Sequence, residues 1–157
     1  MKTASLSEIK QELISAPQKE LLALCLRLIK YKKENKELVN YLLFEANDIS
    51  SYKENIKAEM DEQFLQINQS NLYFAKKSLR KILRILNKYI KYTSSQESET
   101  ELLIYFCTKI KASGIRIHKS TALTNLYNNQ VNKIKNVAAS LHEDLQHDYK
   151  KQIEQLV

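Results

Sequence analysis

The chain has 157 residues, with 25 Lys+Arg against 18 Asp+Glu and a net charge of +7. It holds one Gly, one Pro and no Trp, where an average chain of this length has about eleven Gly and about eight Pro. Sheets need Gly, Asn-Gly or Pro at their turns, so these counts all but exclude a β-rich fold; 43% hydrophobic and 27% charged residues exclude disorder.

In chain order, Ser5-Leu6-Ser7-Glu8 fits a capping box that opens a first helix ending near Ser15. Pro17 suits the first turn of a second helix, with Leu21, Leu24, Cys25 and Leu28 on one face. The polar run 30–37 predicts a break near Asn35, and a further helix ends near Asn47-Asp48. Ser50 or Ser51 starts a helix to about Asn68, with Ile56, Met60, Phe64 and Ile67 at helical spacing. Gln69-Ser70-Asn71 turns the chain into its most strongly patterned segment, 72–93. The clearest loop is 93–98, after which Ser98 or Thr100 caps a helix to Ser113, with Gly114 in the left-handed position beyond it. From Thr121 to Leu156 the three-and-four spacing of Leu123, Tyr127, Val131, Ile134, Ala138, Leu141, Leu145, Tyr149 and Ile153 persists. This predicts one helix of about 36 residues, roughly 54 Å long. Five asparagines between 125 and 136 lower its propensity and favour a kink near Asn128.

The fold class expected is therefore all-α: one domain over 1–157 with six to seven helices. Short connections favour an antiparallel helical bundle or a short stack of helix pairs. That layout resembles helical-repeat scaffolds in architecture alone, with no diagnostic motif. Cys25 and Cys107 both lie in apolar helical runs and read as buried, reduced thiols. The N-terminus has no apolar signal region, and the longest wholly apolar run, 21–26, is far too short to span a bilayer. The expected location is the cytoplasm.

The charge is local. From Gln63 to Gln96 there is no acidic residue, but Lys76, Lys77, Arg80, Lys81, Arg84, Lys88 and Lys91 fall there. The rest of the chain balances 18 basic against 18 acidic side chains. At helical pitch all of these except Lys76 share an arc of about 100°, opposite Leu72, Ala75, Leu79, Ile82, Leu83, Leu86, Tyr89 and Ile90. Three readings of this stripe compete. Glu59 and Glu62 of the preceding helix could come level with Arg80 and Lys77 across an antiparallel hairpin and neutralise it. The stripe could track a nucleic acid or other polyanion, with Tyr73, Phe74 and Tyr92 as flanking stacking groups. Or it could face an acidic protein or an anionic membrane, although its apolar face is wide enough to be core, which weakens the membrane version.

No catalytic constellation emerges. His142 and His147 are five apart, about 140° around a helix, and cannot share a metal as an i, i+4 pair can. His118 is alone. The carboxylates at Glu97, Glu99 and Glu101 suit a helix N-terminus. A single glycine rules out a phosphate loop or a nucleophile elbow. The expectation is thus no enzyme, no cofactor and no metal. The leading reading is a binding or scaffold module with a protein partner, or with a second copy joined through 121–156. The alternative is sequence-independent nucleic-acid binding through Lys77, Arg80, Lys81, Arg84, Lys88 and Lys91 on the helix 72–93.

Overall fold

The computed structural model describes residues 2–157, of which none lies in a strand. The molecule is 81% helical. Its helices are α1 (Leu6–Ser15), α2 (Gln18–Tyr31), α3 (Lys33–Asn40), α4 (Ile49–Leu65), α5 (Leu72–Thr93), α6 (Gln96–Ala112), α7 (Thr121–Ala138) and α8 (Glu143–Glu154). A π-helical turn at Tyr41–Glu45 and a 3-10 turn at Ile117–Lys119 complete it. The expected six to seven helices become eight because the segment 121–156 is broken in two.

The chain divides into two compact units, Met1–Phe44 and Glu45–Val157. The sequence, read as one domain over 1–157, has no linker of Gly, Pro or Ser at that point to signal the division.

In the first unit, the Ser5 hydroxyl accepts from the Glu8 amide while Glu8 accepts from the Ser5 amide at 2.7 Å, which is the capping box expected there. Pro17 caps α2, and the chain breaks at Lys32, whose backbone is fully extended. Asn35 stabilises that break: its side-chain amide donates to the Leu28 carbonyl at 2.8 Å, satisfying an acceptor that the end of α2 leaves open. No residue from 2 to 40 is buried.

In the second unit, Asp48 caps α4 through the Ser51 amide at 3.0 Å, and Asn71 caps α5 through the amides of Tyr73 and Phe74. The centre of the unit is α6, which packs against α4, α5, α7 and α8. Its Leu102, Leu103, Ile104, Phe106, Cys107 and Ile110 are all buried and span about 200° of its circumference, the wide apolar face of a helix packed against several others. Facing it are Ile56, Met60 and Phe64 of α4, Ala75, Leu79, Ile82, Leu86 and Ile90 of α5, and Leu123, Val131 and Ile134 of α7. Phe64 meets Phe106 edge-on at 5.9 Å between ring centres.

Several expectations are corrected here. Helix α6 is capped by Ser95, whose hydroxyl accepts from the Ser98 amide at 3.2 Å. Ser98 and Thr100 are inside the helix and buried, and Thr100 turns its hydroxyl back to the Gln96 carbonyl at 2.9 Å. The long C-terminal helix does not form, nor does it kink near Asn128. The chain stops at Ala138 and restarts at Glu143. The Gln146 amide donates to the carbonyls of Ala139 and Leu141, and the His142 imidazole accepts from the Asp144 amide, so one end and the next beginning are capped together. The reversal brings α8 onto α6 and α7, where Tyr127 donates to the Leu156 carbonyl at 2.8 Å. Within 121–156, Leu123, Tyr127, Val131, Ile134, Ala138, Tyr149 and Leu156 are buried, and Leu141, Leu145 and Ile153 are partly covered. Gly114 does take the left-handed conformation expected of it, at φ 74°.

Candidate functional site

Helix α5 owes its two-sidedness to its sequence. Positions 75, 79, 82, 86 and 90 recur at three and four, and all are buried; the cations lie on the opposite arc. Lys77, Arg80, Lys81, Arg84 and Lys91 are exposed, whereas Lys76 and Lys88 are partly covered. Among the described residues, Arg80, Lys81, Arg84 and Lys91 have no carboxylate within ion-pair distance. The Lys77–Lys81 and Arg80–Arg84 pairs stack like charges at i, i+4, each opposing the helix by about 0.2–0.5 kcal/mol. Burial of the apolar side of α5 is what holds the helix against that repulsion.

The neutralising pairs expected from α4 do not form. Glu59 instead accepts from the Tyr89 hydroxyl at 3.0 Å and from the Gln63 side chain at 3.2 Å. Glu62 is exposed and pairs with none of the stripe. The other acid of that turn, Asp61, faces α6: both its oxygens accept from Tyr105 at 2.8 Å, and Lys109 stands 3.0 Å away. Beside it, Glu101 of α6 takes hydrogen bonds from Lys53 and, at 2.7 Å, from Lys57, and Lys57 also bridges to Glu54. Asp61 and Glu101 are thus held between α4 and α6, and among the described residues Arg80, Lys81, Arg84 and Lys91 of α5 are left without a carboxylate.

That cluster has marked proton affinities. Burial, the Asp61 hydrogen bond and the Asp61 charge push the Tyr105 hydroxyl up to about 12. Burial raises Glu101, but Lys53 and Lys57 outweigh it and hold the carboxyl below the ordinary range. Burial likewise opposes the charge on Lys57, and the bonds to Glu101 and Glu54 hold its ammonium above the ordinary value. Every polar group in the cluster has a partner, and together they pin α4 to α6.

The flanking aromatics separate. Tyr73 and Phe74 are 56% and 51% exposed and meet edge-on at 5.5 Å. The ammoniums of Lys76 and Lys77 lie 5.6 and 5.3 Å from the Tyr73 ring centre. Tyr92 is only 8% exposed, tilted against Tyr89 in the core, and is unavailable for stacking. Sequence reasoning placed it beside the stripe because it follows Lys91, but its position faces the interior at that end of α5.

The cysteines separate as well. Cys107 is buried, and burial pushes its thiol up to about 12; Cys25 is exposed, contrary to expectation, because α3, which packs against α2, leaves it uncovered. Among the described residues no group of three His, Cys, Asp or Glu is close enough to hold a metal ion. His142 serves as the cap of α8, while His118 and His147 are exposed. No described helix is long and apolar enough to cross a membrane.

A second surface was missed by sequence reasoning. Leu6, Ile9, Ile14, Leu22, Leu24, Leu26, Leu28 and Tyr31 are all large, apolar and exposed on α1 and α2. The signal for it lies in 21–29, where eight of nine residues are apolar and only Arg27 interrupts. A helix that is apolar all round needs cover on all sides.

No protein-family model matches the chain, and no curated protein or solved structure matches it either.

Proposed function

We propose that the protein is a non-enzymatic helical binding module whose N-terminal helices dock a protein partner through their apolar surface. The observation that carries this reading is that no residue from 2 to 40 is buried, although 21–29 is almost wholly apolar. Helices of 10, 14 and 8 residues are at or below the length at which an isolated helix is stable in water. Most helical stability comes from burying an apolar face. A partner offering an apolar groove would cover α2 and gain the burial that the unit lacks. The α4–α6 cluster supports the non-enzymatic part, since its titratable groups are spent on one another.

Hydrogen exchange of the full chain tests this. In the monomer, amides of 18–40 should exchange far faster than those of α6, because local opening of a segment without a buried side chain costs little. They should slow when the chain is held in complex. A strict monomer in which 18–40 is protected as strongly as α6 refutes the reading.

A further inference from the structure

We propose that the exposed face of α5 is a binding site for single-stranded nucleic acid, gripping the phosphate backbone with Lys77, Arg80, Lys81, Arg84 and Lys91 and stacking bases on Tyr73 and Phe74. The assignment rests on the second unit alone and not on the apolar residues of the first.

Three observations point to a polyanion. The five cations are exposed on one face, and none of the preceding acids pairs with them: Glu59 is engaged with Tyr89, Asp61 with Tyr105 and Lys109, and Glu62 stands in solvent. Like charges are stacked along the helix without internal compensation, an arrangement that a row of phosphates neutralises. From Tyr73 to Lys91 the face runs about 27 Å at 1.5 Å per residue, which is a track rather than a pocket for one phosphate.

The aromatics select the single strand. At 100° per residue, Tyr73 falls on the same arc as the cations, one turn before Lys77, and Phe74 lies about 20° beyond its edge. Both rings are exposed and braced against one another. In a duplex the base faces are hidden in the stack, whereas a single strand offers them to aromatic side chains. An anionic membrane would meet the cations too, but the apolar side chains of α5 that could enter a bilayer (Leu79, Ile82, Leu86) are buried in the second unit. No element of the fold offers a groove-reading helix of the helix-turn-helix kind, so the site reads backbone and base faces, not sequence.

The test is fluorescence anisotropy of the full chain with a labelled oligothymidylate of about 16 nucleotides, the upper end of known site sizes. Single strands lose about 0.7 in log K per log salt for each neutralised phosphate. Five contacts then give a slope of about −3.5, or roughly a 100-fold weakening between 50 and 200 mM salt. The Lys77→Gln, Arg80→Gln, Arg84→Gln variant keeps two contacts, so its slope should flatten to about −1.4, roughly a seven-fold weakening. Arg80→Lys with Arg84→Lys should keep the wild-type slope, which separates lost charge from a damaged fold. Tyr73→Ala should weaken binding about five-fold or more at fixed salt, since each stacked base contributes about 1–3 kcal/mol. Any of three results overturns the proposal: no binding at low salt, an unchanged slope in the triple Gln variant, or binding to phosphatidylserine vesicles without binding to the oligonucleotide. Duplex bound as tightly as single strand, with Tyr73→Ala silent, overturns the single-strand assignment.

Discussion

The contrast between the two units is open to one paired perturbation, Leu102→Ala against Leu24→Ala. Leu102 of α6 is 0% exposed and enclosed by the surrounding helices, whereas Leu24 of α2 is 44% exposed. Removing three buried carbons forfeits about 2.4 kcal/mol of transfer free energy at about 0.8 per methylene. The cavity left at a site that cannot collapse raises this to about 3 kcal/mol or more, within the usual range for buried Leu→Ala changes. The second unit has 113 residues, which at about 2.1 cal/mol/K per residue gives an unfolding entropy of about 0.24 kcal/mol/K. Leu102→Ala should therefore lower its melting temperature by about 13 °C. Leu24→Ala should leave that transition where it is, because α2 contributes no buried side chain and Ala is the better helix former. Scanning calorimetry, with helicity followed by circular dichroism, reads both. A shift below about 4 °C for Leu102→Ala would sink the assignment of α6 as the centre of the core. An equal shift for the two variants would mean that α2 is as deeply packed as α6, and the docking argument would fall with it.

Two further outcomes follow from local geometry. Gly114 sits at φ 74° with only the Gln69 side-chain oxygen near, at 3.8 Å, so Gly114→Ala meets conformational strain rather than a clash. It should cost about 1–2 kcal/mol in urea denaturation; a neutral result would show that the turn relaxes without the left-handed conformation. Tyr105, Tyr127 and Tyr149 are each raised to about 12, foremost by burial. A folded value raised above the unfolded one means that the stabilisation is complete below pH ~10 and is lost as pH climbs toward 12. Of the nine tyrosines, these three should ionise only together with loss of helicity in an alkaline absorbance titration. Reversible ionisation of all nine near pH 10, with the helices intact, would contradict the burial of Tyr127 and Tyr149 and the Asp61 hydrogen bond of Tyr105.

What the sequence disclosed and what it hid follow a physical line. Helix α5 was legible to the residue because its apolar positions keep strict three-and-four spacing and Asn71 precedes them with a capping side chain. The start of α6 was not, because Ser95, Ser98 and Thr100 can all cap, and only the burial of the last two decides among them. The break between α7 and α8 was hidden because Ala138, Leu141, Leu145 and Tyr149 continue the helical phase across it. The decision rests with Gln146 and His142, whose polar side chains supply the missing backbone partners. Cys25 and Cys107 illustrate the limit of pattern reading. They lie in equally apolar runs, yet one is enclosed by four helices and the other is not enclosed at all.

The open stripe has the same origin. Sequence proximity made Glu59 and Glu62 the natural partners of Arg80 and Lys77, since a hairpin joins their helices. Glu59 went instead to Tyr89 and Gln63, Glu62 to solvent, and the other charges of α4 to residues 40 to 50 positions away: Asp61 to Tyr105 and Lys109, and Lys53 and Lys57 to Glu101. An ion pair that also receives a hydrogen bond inside a helix interface outcompetes one at the rim, where such a pair contributes about 0–1 kcal/mol. Of the α4 acids, Asp61 turns to α6, Glu59 bonds Tyr89 and Glu62 stays in solvent, and Arg80, Lys81, Arg84 and Lys91 are left without a carboxylate among the described residues. The two uncovered surfaces answer to opposite conditions. Salt screens contacts to phosphate and weakens them steeply, whereas apolar docking at 2–44 is unaffected or strengthened by excluded salts such as sulfate. A chain that holds both surfaces can keep a protein partner under conditions that strip it of nucleic acid, so titrating salt, with no substitution at all, separates the two activities proposed for this fold.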